Sequence, residues 1–218
     1  MSNVYGEEHR KLQEQFSTRK LADRLEETII KTEVDEMDRG FIESRDYFFL
    51  STVDQNGHPT VSYKGGDPGF VRVVDPCTVA FPSYDGNGMF FSMGNIAANP
   101  KVGILFIDFE NPNRLRLHGE ASVSANDPLL ASYQEAELIV RIKVSKIWVN
   151  CPRYIPQMKR IKPSANVPRT ACETPLATWK RIDFVQDVLP PKDVGRPEKA
   201  GGVITIEEYI AKVMQGDT

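Results

Sequence analysis

The sequence predicts a mainly β protein with peripheral helices: an antiparallel β-barrel behind an N-terminal helical extension. Three observations carry this. Asp54-Gln55-Asn56-Gly57 separates two strand-like runs, Phe48–Val53 and Thr60–Lys64, and Asn-Gly between such runs is the strongest short-range hairpin signal. Arg114–Val123 alternates cleanly, with Leu115, Leu117, Ala121 and Val123 inward and Arg114, Arg116, His118, Glu120 and Ser122 outward, as a half-buried antiparallel strand does. Turn chemistry recurs at short intervals, so six or so strands follow one another mostly through hairpin turns, a pattern that suggests closure into a barrel.

The chain opens with a charged stretch. Residues 7–45 carry eleven acidic and eight basic side chains. Leu21, Leu25 and Ile29 recur at i, i+4 and i+8, which gives an amphipathic helix with a narrow apolar stripe, read as a solvated arm on the domain or on a dimer partner. The pattern changes from Tyr47. Along the second strand Val61 and Tyr63 share one face, and Thr60, Ser62 and Lys64 share the other. The loop Gly65–Phe70 leads to a strand at Val71–Val74, and Asp75-Pro76 turns the chain into Thr78–Phe81. Pro82–Gly88 is turn chemistry.

A short helix follows. Ser92, Asn95 and Asn99 fall at i, i+3 and i+7 and give it one polar face, with Phe90, Met93 and Ala97 as the apolar face beside it. Asn99-Pro100 ends it. Gly103–Phe109 is nearly all apolar, as a strand buried on both faces is. Asp127-Pro128 reads as N-cap and N1 of a short helix to about Glu135. Leu138, Val140, Ile142 and Val144 alternate, but Ile147 and Val149 are in the opposite phase, which places a bulge near Lys146. The stretch from Pro152 to Pro197 reads as irregular and Ile204–Met214 as a final helix. The organisation expected is a helical extension over 1–40, a barrel domain over 41–155, and a C-terminal segment over 156–218 that packs on the barrel or on a partner subunit.

Composition excludes several classes. The 218 residues are 40% hydrophobic, enough for a core, and the net charge of −3 argues against bulk nucleic-acid binding. No run of 18 apolar residues exists, so no membrane span is expected. The N-terminus has no apolar h-region, so it is not read as a secretion signal. Three widely spaced cysteines, Cys77, Cys151 and Cys172, suggest reduced thiols in a cytoplasm. There is no G-x-S-x-G elbow and no H-E-x-x-H. His9, His58 and His118 show no metal-ligand spacing, so no metal site is expected, and no nucleophile–base pair stands out.

The loop and helix at Asn87–Asn95 carry the functional signal. Gly86 and Gly88 leave the backbone bare, and a helix N-terminus favours negative charge through its free N–H groups and its dipole. Ser92 and Asn95 add hydroxyl and amide donors. The stretch is either a phosphate site or a tight surface turn with a well-capped helix. Lys64, beside Gly65-Gly66, and Arg72, opening the next strand, supply positive charge for an anion if the fold brings them to the loop.

Taken together, FFLSTVDQNGHPTVSYKGGDPGFVRV, AFPSYDGNGMFFSMGNIAANPKVGILFIDF and RLRLHGEASV resemble the pyridoxamine 5'-phosphate oxidase-like flavoproteins, the FMN-binding split-barrel family, over roughly residues 41–155. The resemblance implies a split antiparallel β-barrel that forms a homodimer, with FMN in clefts at the subunit interface. It implies flavin and phosphate contacts from Ser62, Tyr63 and Lys64, from Phe81, Pro82 and Ser83, and from Asn87, Gly88 and Ser92. Asn95 stands where the oxidases carry a flavin-contacting amide, and Trp148 and Arg153 fall in the part of the partner subunit that closes over the cofactor. The function implied is an FMN-dependent oxidoreductase acting on a small molecule. The alternatives are a non-catalytic flavin- or haem-binding carrier or sensor, and a dimeric interaction module without cofactor. Two departures stand out. Vitamin B6 oxidases carry Ser-Arg-Lys where this chain has Phe90-Phe91-Ser92, and no histidine follows His118 to supply their C-terminal Arg-x-His substrate motif.

Overall fold

The hairpin marked by Asn56-Gly57 joins β1 (Tyr47–Val53) to β2 (Pro59–Gly65), with Gly57 at φ 84° in the turn. Their register sets Phe48 opposite Lys64, Leu50 opposite Ser62 and Thr52 opposite Thr60. Five more strands follow in the computed structural model, which describes residues 2 and 4–216: β3 (Arg72–Asp75), β4 (Thr78–Tyr84), β5 (Lys101–Asp108), β6 (Asn113–Ser124) and β7 (Ala136–Asn150). All pairings are antiparallel, and one sheet runs β2-β1-β5-β6-β7-β4-β3.

The sheet curls but does not close. Phe48 on β1 and Phe81 on β4 stand four places apart in the strand order, yet their rings meet at 4.9 Å, with Phe106 at 5.5 Å from Phe48. All three are fully buried and centre the core. The expected closure fails because the edge of β3 is already taken. Helix α3 (Glu36–Glu43) lies against β3, Arg39 donates to the Val73 carbonyl at 2.6 Å, and Glu43 accepts from the Val73 N–H at 3.0 Å. Side chains thus satisfy the groups that β2 would have paired, which also protects the edge. Phe70 fills the seam, stacked on Phe48 at 5.8 Å. Gly66 is required there, since a Cβ would stand 2.3 Å from the Phe70 ring.

The phase slip along β7 is the expected bulge. The register jumps between His118–Lys146 and Gly119–Val144, leaving Ser145 unpaired. The stretch after Asp127 forms only a 3-10 turn, Pro128–Ser132, instead of a helix to Glu135. Its carboxylate caps Leu129 N–H at 2.9 Å, but Tyr133 then drops into a small second core with Ala80 and Ile139, which ends the turn early.

The charged extension forms α1 (Glu7–Gln15) and α2 (Arg19–Ile29), neither with a buried residue, so the Leu21–Leu25 stripe lies exposed. By contrast α3, capped by Asp35 accepting from Asp38 N–H at 2.9 Å, places Ile42 in the barrel core. The chain divides into two compact units after Lys162. The second unit carries 3-10 turns at Thr178–Arg181 and Asp183–Val188, then α5 (Arg196–Lys199) and α6 (Ile206–Gln215). It is tied by a buried Lys180–Asp193 ion pair at 2.6 Å, and Thr205 and Glu208 form a capping box at the start of α6. Among the described residues no helix is long and apolar enough to cross a membrane, and the three cysteines are free.

Candidate functional site

Helix α4 (Phe91–Ala98) sets the site. It is preceded by Gly88 at φ 74° and by Phe90 at φ 47°, a left-handed conformation that few non-glycine residues adopt. Its N-terminus has no side-chain cap, so the first-turn N–H groups stay open. Because the helix begins only at Phe91, its apolar anchors are Met93 and Ile96, and the expected partners Phe90 and Ala97 lie exposed.

The polar face turns inward, onto the inner face of the β1–β2 hairpin. Ser92 is buried, with its hydroxyl 2.8 Å from that of Ser62. Lys64 Nζ donates to the same Ser92 Oγ across 3.4 Å. One turn on, Asn95 Nδ2 donates to Thr52 Oγ1 at 3.0 Å, and the Thr52 and Thr60 hydroxyls are 2.8 Å apart. Burial depresses the pKa of Lys64, and no carboxylate pairs with it among the described residues. It is a partly desolvated cation whose ammonium meets the Ser92 hydroxyl in the first turn of α4. Met89, Phe90 and Phe91 form an exposed apolar lip beside it.

Of the residues read from the sequence, the fold therefore joins Ser62, Lys64 and Ser92 directly and sets Asn95 alongside. The others go elsewhere. Tyr63 points to the opposite face of β2 and stacks on Tyr47, 5.6 Å between ring centres. Arg72 does not reach Ser92: its guanidinium lies 4.3 Å over the Tyr133 ring and donates to Ser132 Oγ at 2.8 Å. Phe81 is a core residue and Pro82 is buried in the β4–β7 pairing, while Ser83 is half-buried at the strand end. Asn87 folds back on its own loop, accepting from Met89 N–H at 3.1 Å. Trp148 packs edge-on against His118 at 4.8 Å on the outer face of β6 and β7. Burial, then the charges of Lys146 and Arg116, push the His118 pKa down. Arg153, past the end of β7, lies 6.0 Å over the Tyr154 ring.

Sequence reasoning missed Thr52. The signal was present: Phe48, Leu50 and Thr52 share the inward face of β1, and a hydroxyl in that apolar alternation, opposite Thr60, marks a polar contact inside. Chemically the cluster offers one cation, several hydroxyls and backbone N–H groups, a set suited to a phosphate. Among the described residues no group of three potential metal ligands assembles.

No curated protein matches the chain. Among solved structures, HupZ of Group A Streptococcus is 19% identical, with 58% of this chain and 99% of that chain covered at a TM-score of 0.45. HutZ, the haem storage protein of Vibrio cholerae, is 19% identical, with 53% and 94% covered at 0.40. An FMN-binding protein from Syntrophomonas wolfei is 15% identical, with 64% and 97% covered at 0.38. The family model for pyridoxamine 5'-phosphate oxidase matches residues 34–166, from just before α3 to just past the end of the first unit. That is well over half the sequence and includes every strand and the whole of the Ser62–Lys64–Ser92 cluster, and the chain belongs to the pyridoxamine 5'-phosphate oxidase family.

Proposed function

We propose that this protein binds FMN through the Ser62–Lys64–Ser92 cluster and works as an oxidoreductase on a small molecule. The observation that carries the reading is Lys64, a partly buried ammonium with no carboxylate partner among the described residues, directed at a buried serine on an uncapped helix N-terminus. A phosphate supplies what each of these groups lacks: negative charge for Lys64, acceptors for the two hydroxyls, and acceptors for the first-turn N–H groups of α4. The residues present therefore fit the phosphate of FMN, although the two cations of the vitamin B6 oxidases are replaced by Phe91 and Ser92. Bound FMN supplies the hydride- and electron-transfer chemistry. The chain's own part is to hold the phosphate with Lys64, Ser62 and Ser92 and to fix the ligand's direction with Asn95.

Self-association into a homodimer belongs to the same reading. The outward row of β6, from Arg114 to Ser122, and the exposed Val61 and Tyr63 on edge strand β2 leave a broad mixed surface in need of a partner. The three free cysteines support a cytoplasmic setting.

The test has three steps. Purified protein is examined for flavin absorption and titrated with FMN. Turnover is followed photometrically with NADH or NADPH, where none with either donor favours a carrier over an enzyme. Sedimentation at micromolar concentration gives the assembly state, and a single monomer-sized species counts against the dimer. Failure to bind FMN at any accessible concentration overturns the proposal.

A further inference from the structure

We propose that Lys64, when no flavin is bound, is a carbonyl-reactive amine that condenses with a short-chain phosphorylated aldehyde seated against Ser62 and Ser92. The phosphate seat is the one assigned to FMN above, and the inference rests on that reading for the seat. The covalent step is separate from it and needs no flavin.

The geometry around the amine sets it apart. Elsewhere lysines meet carboxylates: Lys180 forms a buried pair with Asp193 at 2.6 Å, and Lys11 is bonded to Glu8 at 2.7 Å and Glu7 at 3.0 Å. Hydrogen bonds to Glu8 and Glu7 push the Lys11 pKa up, and Asp35 and Asp38 push that of Lys31 up against its own burial. Lys64 is half-buried on the inner face of β2, opposite the fully buried Phe48. Among the described residues its ammonium meets only a hydroxyl, Ser92 Oγ at 3.4 Å. No charge there opposes its own, and burial lowers its pKa. The neutral amine is the form that attacks a carbonyl. An unperturbed lysine is neutral in about one molecule in 2,500 at pH 7, and desolvation without a counter-ion raises that share, which is how Schiff-base lysines are activated.

The step balances without a co-reactant. The Nζ lone pair forms a C–N bond to the aldehyde carbon as the carbonyl π pair moves to oxygen. One N–H proton passes to that oxygen, giving a carbinolamine. The C–O bond then breaks, the oxygen leaves as water with the second N–H proton, and a C=N bond remains. Nothing is oxidised or reduced. Ser92 Oγ lies beside Nζ and 2.8 Å from Ser62 Oγ, and a hydroxyl both donates and accepts, so this pair can pass the protons. The phosphate takes the remaining donors of the seat. Because Nζ stands 3.4 Å from a hydroxyl of the seat itself, the aldehyde carbon must lie only a few bonds from phosphorus. That selects a short aldehyde phosphate over a long one.

The test is reductive trapping on the full chain freed of any flavin. Protein is incubated with glyceraldehyde 3-phosphate or with glyceraldehyde, reduced with cyanoborohydride to fix the imine as a secondary amine, digested and read by mass spectrometry. The phosphorylated aldehyde is expected to label Lys64 at least about tenfold over the exposed Lys20 and Lys101. Unphosphorylated glyceraldehyde should lose that preference. Inorganic phosphate should suppress the label at Lys64 and leave it unchanged at Lys20, and the Lys64 label should persist to lower pH than the others. Even labelling of all three lysines, equal labelling of Lys64 by the two aldehydes, or no protection by inorganic phosphate overturns the inference. FMN binding with even labelling sinks this inference alone. Selective labelling in a protein that takes up no FMN supports it and overturns the flavin reading.

Discussion

Lys64→Met separates the phosphate reading from every other account of the α4 pocket. The substitution keeps the length and apolar stem of the side chain and deletes the ammonium. Among the described residues that ammonium has one partner, Ser92 Oγ at 3.4 Å, which is a long and weak bond. Burial lowers the Lys64 pKa, so the charged form is penalised at every pH below its folded value and relieved above it. Removing the charge should therefore leave the ligand-free protein as stable as before or more so, with a higher thermal midpoint at pH 7. Binding should move the other way. A hydrogen bond to a charged group contributes roughly 1.5–3 kcal/mol, so FMN affinity should fall by about one to two decades. Riboflavin, which lacks the phosphate, should bind as it does to the parent. The assay is a pair of fluorescence titrations with a thermal melt of each ligand-free protein. Equal losses for FMN and riboflavin, or a ligand-free variant that melts well below the parent, would refute the reasoning. The first would mean that Lys64 does not read the phosphate, and the second that it is a structural residue.

Three further predictions concern the frame that holds the site. Phe48→Ala removes a fully buried ring touching Phe70, Phe81 and Phe106 and should cost about 3–5 kcal/mol in chemical denaturation; a loss below 1.5 kcal/mol, itself about half the low end of that range, would mean the curl of the sheet does not depend on this contact. Gly119→Ala puts a Cβ 2.4 Å from the Lys143 carbonyl at the bulge and should cost about 1–3 kcal/mol or leave the protein insoluble, whereas parent-like melting would show that the strand can give way. Arg141 grips Asp127 with two bonds, at 2.5 and 3.0 Å, and this holds the Asp127 carboxyl below the usual carboxylate range. A depressed carboxylate stabilises the fold above its unfolded value of about 3.9 and loses that contribution as pH falls through the folded value. Asp127→Ala should therefore destabilise at pH 7 by about 1.5–3 kcal/mol and show a flatter acid limb than the parent below the ordinary carboxylate range.

How much of this was legible depends on the range of the interaction involved. The hairpin and the bulge were legible because their causes are local: Asn56-Gly57 dictates its own turn, and a slip in a two-residue period betrays itself. The polar face of α4 was legible from Ser92 and Asn95, though not that it turns inward, and of the expected apolar residues only Met93 is an anchor, with Ile96 in place of Phe90 and Ala97. Phe90 sits in a left-handed cap, so spacing counted from it is not helical. Closure of the barrel was misread because what prevents it is not in any strand. It is Arg39 and Glu43 reaching over from α3, some 30 residues away in sequence, to Val73. Arg72 was misplaced for a similar reason. It lies close to Lys64 along the chain, but β2 and β3 are opposite edges of the sheet, and the ring that captures Arg72 belongs to Tyr133. Nothing short of the tertiary fold brings that ring there.

Among the described residues three liabilities meet at one end of the barrel: a desolvated cation without a counter-ion, a left-handed phenylalanine, and a helix N-terminus without a side-chain cap. Each alone costs free energy, strain of the Phe90 kind on the order of 1–3 kcal/mol. At several other points a local partner meets such a cost. Asp35 caps α3, Thr205 caps α6, Asp127 is gripped by Arg141, and the exposed edge of β3 is covered by side chains. An uncapped start also occurs at α2 and left-handed residues at Ser17, Glu135 and Tyr154, but at α4 these features coincide with a buried cation, and the proposed phosphate is the group that would relieve them together. A ligand held at 100 times its dissociation constant would add about 2.7 kcal/mol to the stability of the fold. A rise in melting temperature with FMN, larger than that with riboflavin at equal concentration and lost in Lys64→Met, is therefore the thermodynamic counterpart of the binding titrations.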